Sequence, residues 1–232
     1  MNDLKVRRWA SSFGLAGFVV FLVALPLYFV GVGPGARLED AVQFSNLVTR
    51  TNTFIVIRTA LADPLIMVGF LVFLAGLRHL IRQAQQDCEW IGSLVFGVGV
   101  VVIAVELVGD GLQAGAALDT WVKADPLAVR ALNEGSFPMY GAIGLILAAL
   151  LLASAGYATL ATGVLHKWTG WVAYSAAVIN LAAAPSVLGG TDITGFYTTS
   201  GYAPFVGQAA MLIWFSVASV SMIVKRAPAR QP

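Results

Sequence analysis

The chain is predicted to be all-α: a polytopic transmembrane helical bundle of about six spans, forming a single integral membrane domain over residues 1–232. Three observations predict it. First, 58% of the residues are hydrophobic and only 11% are charged, where soluble domains carry roughly 25% charged residues. Second, apolar runs near the roughly 20 residues a helix needs to cross a bilayer recur six times and use up the chain. Third, the basic residues gather at alternate ends of those runs, as topology signals do.

The first span is expected at Phe13–Val32, after a basic head holding Lys5, Arg7 and Arg8. A secretory signal would have an apolar core of about 7–15 residues, so this longer run reads as a retained span. The second, Thr53–Leu77, is interrupted by Arg58, Asp63 and Pro64. It is either continuous or broken. In the broken form Asp63 caps a helix that starts at Pro64, and Arg58 sits on a preceding interfacial helix. The third span is Ile91–Leu112, the fourth Tyr140–Leu165, the fifth Trp168–Leu188 and the sixth Ala203–Val224. The turn LHKWTGW between the fourth and fifth is so short that they should form an antiparallel hairpin. Residues 34–52 and 115–139 each have room for a short amphipathic helix. In the second of these, Asp125-Pro126 suits an N-cap and first helical position, and Gly135 suits the close. Residues 189–204, GGTDITGFYTTSGYAP, read as an irregular loop.

Six spans put both termini on one side. That side carries Lys5, Arg7, Arg8, Arg78, Arg82, Lys167, Lys225, Arg226 and Arg230, while the other carries Arg37, Arg50, Lys123 and Arg130. The richer side is expected to be cytoplasmic. Trp9, Trp90, Trp168 and Trp171 fall near it as interfacial anchors, and Trp121 marks the opposite interface.

Several functions are excluded. A net charge of +2 is too small to suggest nucleic acid. Cys88 is the only cysteine, so there is neither an intramolecular disulfide nor a Cys-x-x-Cys centre. It reads as an ordinary free thiol. His79 and His166 both fall at the cytoplasmic ends of spans, which argues against an intramembrane bis-histidine haem, a histidine-bound metal and a Ser–His or Cys–His nucleophile. No span holds a lysine for a retinal Schiff base. No D-D-x-x-D magnesium motif and no P-loop occur. No cofactor and no metal are expected.

The positive signal is VVVIAVELVGDGLQAG, in which Glu106 and Asp110 lie one helical turn apart on one face and Gln113 extends that face. Two carboxylates so close disfavour joint ionisation, so a shared proton or a cationic partner is expected. Arg58 and Asp63 fall at similar depth on the second span. Each costs about 2.5–3.5 kcal/mol to insert, so they should face one another rather than lipid. Tyr140, Asn180 and Gln208 are candidates to join them, with Asp192, Tyr197 and Tyr202 capping from the loop. Alternatively, Gly109-Asp110-Gly111 ends the third helix, and Asp110 and Gln113 sit at headgroup level. The catalytic candidates are therefore Glu106, Asp110 and Asp63, and the ligand-binding candidates Arg58, Gln113, Tyr140, Asn180 and Gln208.

At HKWTGWVAY the chain resembles uncharacterised bacterial six-span integral membrane proteins, through His166, Lys167, Trp168, Gly170 and Trp171. The resemblance implies the six-span fold and a bacterial inner-membrane location. Three functions remain. One is a pocket for a lipophilic small molecule or lipid, or an accessory subunit. Another is a membrane-embedded acid–base enzyme, an isomerase or cyclase using Glu106. The third is a proton-coupled transporter. The expected partners are membrane lipids, a lipophilic small molecule, and a protein partner or a second copy of the chain.

Overall fold

The computed structural model describes residues 3–30, 40–122, 125–190, 195–199 and 201–225. Among these residues there are eight α-helices and no β-strand. Helix α1, Asp3–Ala24, runs into a 3-10 turn, Leu25–Phe29, at Pro26. Helix α2, Ala41–Ile57, passes through a π-turn at Arg58–Ala62 into α3, Asp63–Ala84. Helix α4 is Glu89–Asp119. Helix α5, Pro126–Pro138, passes through a second π-turn, Met139–Ile143, into α6, Gly144–Thr162. Helix α7, Lys167–Ala183, ends in a 3-10 turn, Ala184–Gly189, and α8 is Tyr202–Val224.

Six helical stretches are long and apolar enough to cross a membrane. They follow the expected spans in order, but several are longer. The first starts at Asp3 rather than Phe13, because Val6 and Ala10 are buried against α3, with Ala10 seated on Gly76. The second and fourth absorb the loop helices. Helix α2 is a continuation of α3, not a separate interfacial piece, and α5 joins α6 across a kink at Gly141. Asp40 caps α2 by accepting from Val42 N at 3.3 Å. Asp125 caps α5 by accepting from Leu127 N at 3.0 Å, but the helix runs through Gly135 to Pro138.

Both π-turns adjoin a proline. Pro64 has no N–H to offer the carbonyl four residues back, and its ring crowds that carbonyl. The wider turn relieves this: Asp63 N bonds instead to Arg58 O, and Asp63 keeps helical angles (φ −63°, ψ −44°). The second run therefore does not break at Asp63-Pro64, and Asp63 is not a cap. In the second π-turn, Gly141 leaves helical geometry (φ −87°, ψ −122°) three residues after Pro138.

Close backbone approach holds the bundle together where glycines lie at crossings. A Cβ on Gly69 of α3 would stand 2.6 Å from the carbonyl oxygen of Phe13 on α1. Gly156 and Gly170 bring α6 and α7 together in the expected antiparallel hairpin, where a Cβ on either would meet the other's carbonyl at 3.0–3.1 Å. Gly163, at φ 60°, supplies the left-handed residue that stops α6. Phe70 stacks on Phe215 at 4.0 Å and Phe73 meets Trp214 edge-on at 6.1 Å, all four fully buried.

Cations cap the carbonyls at the close of α6. Arg7 donates to Val164 O at 3.3 Å, and Lys225 donates to Gly163 O and, at 3.0 Å, to Leu165 O. The start of α1, the α6–α7 turn and the end of α8 thus share one basic end. Trp9, Trp90, Trp168 and Trp171 each point outward, more than half exposed. At the far end, α2, α5 and the last turns of α4 enclose a separate small core of Phe44, Val48, Ile55, Ala116, Ala117 and Val129.

Candidate functional site

The candidate site lies where the far-end cap meets the main bundle. At 1.5 Å per residue, Glu106 stands about 24 Å along α4 from Trp90. Glu106, Asp110 and Gln113 are all buried on one face. Helix α4 continues to Asp119, so Gly109-Asp110-Gly111 does not end it and Asp110 is not at a helix terminus. Gly109 has a packing role: a Cβ there would stand 2.8 Å from the Tyr140 ring.

The π-turns aim the remaining groups. From the first, the Arg58 guanidinium donates to Gln113 Oε1, lies 5.1 Å over the Tyr28 ring and holds Nε 3.8 Å from Asp63 Oδ2. The Tyr28 hydroxyl donates to Asp63 Oδ1. Asp63 and Asp110 both line the adjoining cavity. From the second π-turn, Tyr140 donates to Asp110 Oδ1 at 2.7 Å. Gln208 on α8 donates to Glu106 Oε1 at 2.6 Å and to Tyr140 O at 3.2 Å. Gln113 donates to Ser136 Oγ at 2.9 Å, and Ser136 to Asn133 O at 2.6 Å. Two hydrogen-bonded networks therefore meet on one face of α4: one joins the end of α1, the first π-turn, Gln113 and α5, and the other joins Glu106 and Asp110 to the second π-turn and α8.

A partly open cavity of about 170 Å³ adjoins both networks. Asp63, Glu106, Asp110, Gln113, Tyr140 and Gln208 make its polar wall. Phe21, Ile66, Met67, Phe137, Phe205 and Leu212 contribute to its larger apolar wall. Arg58 does not line it, being held behind Asp63 and Gln113. Three carboxyls thus face one guanidinium in a buried setting. Neutrality there takes two protons or cations from outside.

The structure brings together Glu106, Asp110, Asp63, Arg58, Gln113, Tyr140 and Gln208. It corrects three expectations. Asn180 is elsewhere, donating to Ala176 O at 2.8 Å and to Gly207 O at 3.0 Å as a joint between α7 and α8. Tyr197 donates to Ala182 O and Tyr202 stacks on Phe196, so neither caps the cavity. Their loop contributes Thr199 and Gly201 instead. Asp192 lies outside the described residues.

Sequence reading missed Tyr28 and Ser136. Tyr28 sits at the end of an apolar run, where a tyrosine reads as an interfacial anchor. Only its position just after Pro26, which sets the 3-10 turn, hinted otherwise. Among the described residues no group of three or more His, Cys, Asp or Glu side chains is arranged to hold a metal ion. The residues of the HKWTGW turn serve the hairpin. His166 N and Nδ1 lie 3.0 and 2.9 Å from Ser221 Oγ, and the Thr169 hydroxyl donates to His166 O at 2.8 Å. Comparisons with protein-family models, curated proteins and solved structures give no match.

Proposed function

We propose that this chain is a six-span integral membrane protein whose cavity binds a lipophilic small molecule or the polar end of a lipid. Its termini face the cytoplasm, and the site lies in the outer half of the bundle. The observation that carries this reading is one cavity with an apolar wall and a hydrogen-bonded polar wall, the usual division of labour in a small-molecule site. The outward-facing tryptophans at the basic end support the orientation. The likeness of the 166–171 turn to bacterial six-span proteins supports an inner-membrane location. A proton-coupled transporter needs a route to the opposite side, and the Phe70, Phe73, Trp214 and Phe215 stack fills the bundle between the cavity and the basic end.

The test is native mass spectrometry with lipid extraction on the wild type and on Glu106→Gln. The reading expects a specific copurified molecule in the wild type that is depleted in the variant, with thermal stability unchanged. An empty wild-type protein, or a ligand indifferent to Glu106→Gln, overturns it. The acid–base enzyme is the second reading, favoured by the three buried carboxyl side chains, Asp63, Glu106 and Asp110, that line one cavity. It requires that the extracted molecule be chemically converted by the wild type and left unchanged by Asp110→Asn.

A further inference from the structure

We infer that the cavity is built for a lipophilic cation, an organic ammonium no larger at its head than a substituted benzyl group. This rests on the ligand-binding reading and names the ligand's class.

The charge layout carries it. The polar wall presents Asp63, Glu106 and Asp110, all at least 95% buried, and no basic side chain. The nearby cation, Arg58, is already engaged by Gln113, Asp63 and the Tyr28 ring, and stands behind the wall. An anionic ligand would sit beside three carboxyls with no cation on the wall. A neutral one would leave in place the protons that balance them. An ammonium takes over the place of one such proton and offers up to three donors to the carboxyl and amide oxygens of the wall.

The apolar wall points the same way by an independent route. Phe21, Phe137 and Phe205 line the cavity beside Tyr28 and Tyr140. Aromatic faces attract ammonium groups as well as apolar bodies. The size is also restrictive, since an apolar cavity of about 150 Å³ holds a benzene-sized molecule. A head of that size fills this one, and any longer tail has to leave through the open side.

Charge balance fixes the exchange. As an ammonium enters, a proton held among Asp63, Glu106 and Asp110 leaves to solvent, so net charge in the site is conserved. The groups facing that proton are Arg58 from the first π-turn, Tyr28 from the end of α1, Tyr140 from the second π-turn and the Gln208 amide from α8. Binding should therefore strengthen as pH rises.

Three probes of one shape test this on the full-length wild-type protein in detergent: benzylammonium, benzyl alcohol and benzoate. They are titrated by calorimetry against empty-micelle blanks at pH 6 and pH 8. The expected result is that benzylammonium binds at least tenfold more tightly than benzyl alcohol, gains affinity at pH 8, and that benzoate does not bind. Glu106→Gln and Asp110→Asn should each shrink the ammonium's advantage while sparing benzyl alcohol. Because the wild-type series alone decides charge preference, a variant that fails to fold does not weaken the test. Benzyl alcohol or benzoate matching the ammonium overturns the cation assignment and leaves the ligand-binding reading standing. Failure of all three probes overturns both.

Discussion

Replacing Arg58 with methionine keeps the side chain's bulk and removes its charge and its donors. Three contacts go at once: Gln113 Oε1 loses its guanidinium donor, the Tyr28 ring loses the cation over its face, and Asp63 keeps only the Tyr28 hydroxyl. The Arg58 and Asp63 side chains are 13% and 8% exposed, so water cannot replace what is lost. Removing one partner of a buried ion pair costs about 3–5 kcal/mol. The 3.8 Å separation is loose, which places the expected cost near the lower bound, about 3 kcal/mol. For a chain this long that is a fall of roughly 6–12 °C in Tm. The second substitution, Asp63→Asn, removes the charge that Arg58→Met leaves unpaired, so the double variant should regain more than half of the loss. Cys88 provides the assay: it is the only cysteine and is buried, so a thiol-reactive fluorophore reports unfolding directly. Strictly additive Tm losses in the double-mutant cycle would refute the coupling, and with it the account of how Arg58 is held.

Gly69→Ala should lower Tm by the equivalent of about 1–3 kcal/mol through overpacking against Phe13, whereas Gly97→Ala, which has open space within 4 Å, should leave it unchanged or slightly raised; thiol-dye melts of both compare them directly. Asn180→Leu should cost about 1 kcal/mol by leaving Gly207 O without its side-chain donor, and the copurified ligand measured by mass spectrometry should be retained, because this residue is a joint and not part of the cavity. Tyr28→Phe should reduce stability by about 1.5–3 kcal/mol if Asp63 is ionised, the range for a hydrogen bond to a charged group. A thermal shift indistinguishable from wild type would place the negative charge on another carboxyl.

The six long apolar helices, and the residues that gather at the candidate site, were legible in the sequence for one physical reason: charge in an apolar run is costly enough to be informative. Glu106, Asp110, Arg58 and Asp63 announced themselves by their surroundings, and their helical spacing fixed the face they share. The lengths of the helices were less legible. Residues 41–57 and 126–138 are polar enough to read as loop helices, and only their packing on α4 around Phe44, Ala116 and Val129 joins them to the long apolar helices. Asn180 was misplaced because depth along a helix can be counted from sequence while rotation about its axis cannot, and α7 turns that residue toward Gly207. Tyr28 was overlooked because its partner, Asp63, depends on how α1 crosses α3.

The π-turn at Arg58–Ala62 is, in effect, a single-residue insertion taken up in one wide turn. Five residues there carry the chain about as far round the axis as four in a regular α-helix. Helix α2 can therefore present Phe44 and Val48 to the cap while α3, in the same continuous rod, presents Ile66 and Phe70 to the bundle. Removing an outward-pointing residue such as Leu61, which is 60% exposed, would leave the two halves in phase but close the wide turn, setting the Pro64 ring back against the carbonyl four residues before it. The same deletion in a regular turn of α3 or α4 would rotate everything beyond it by about 100° and should be far more disruptive.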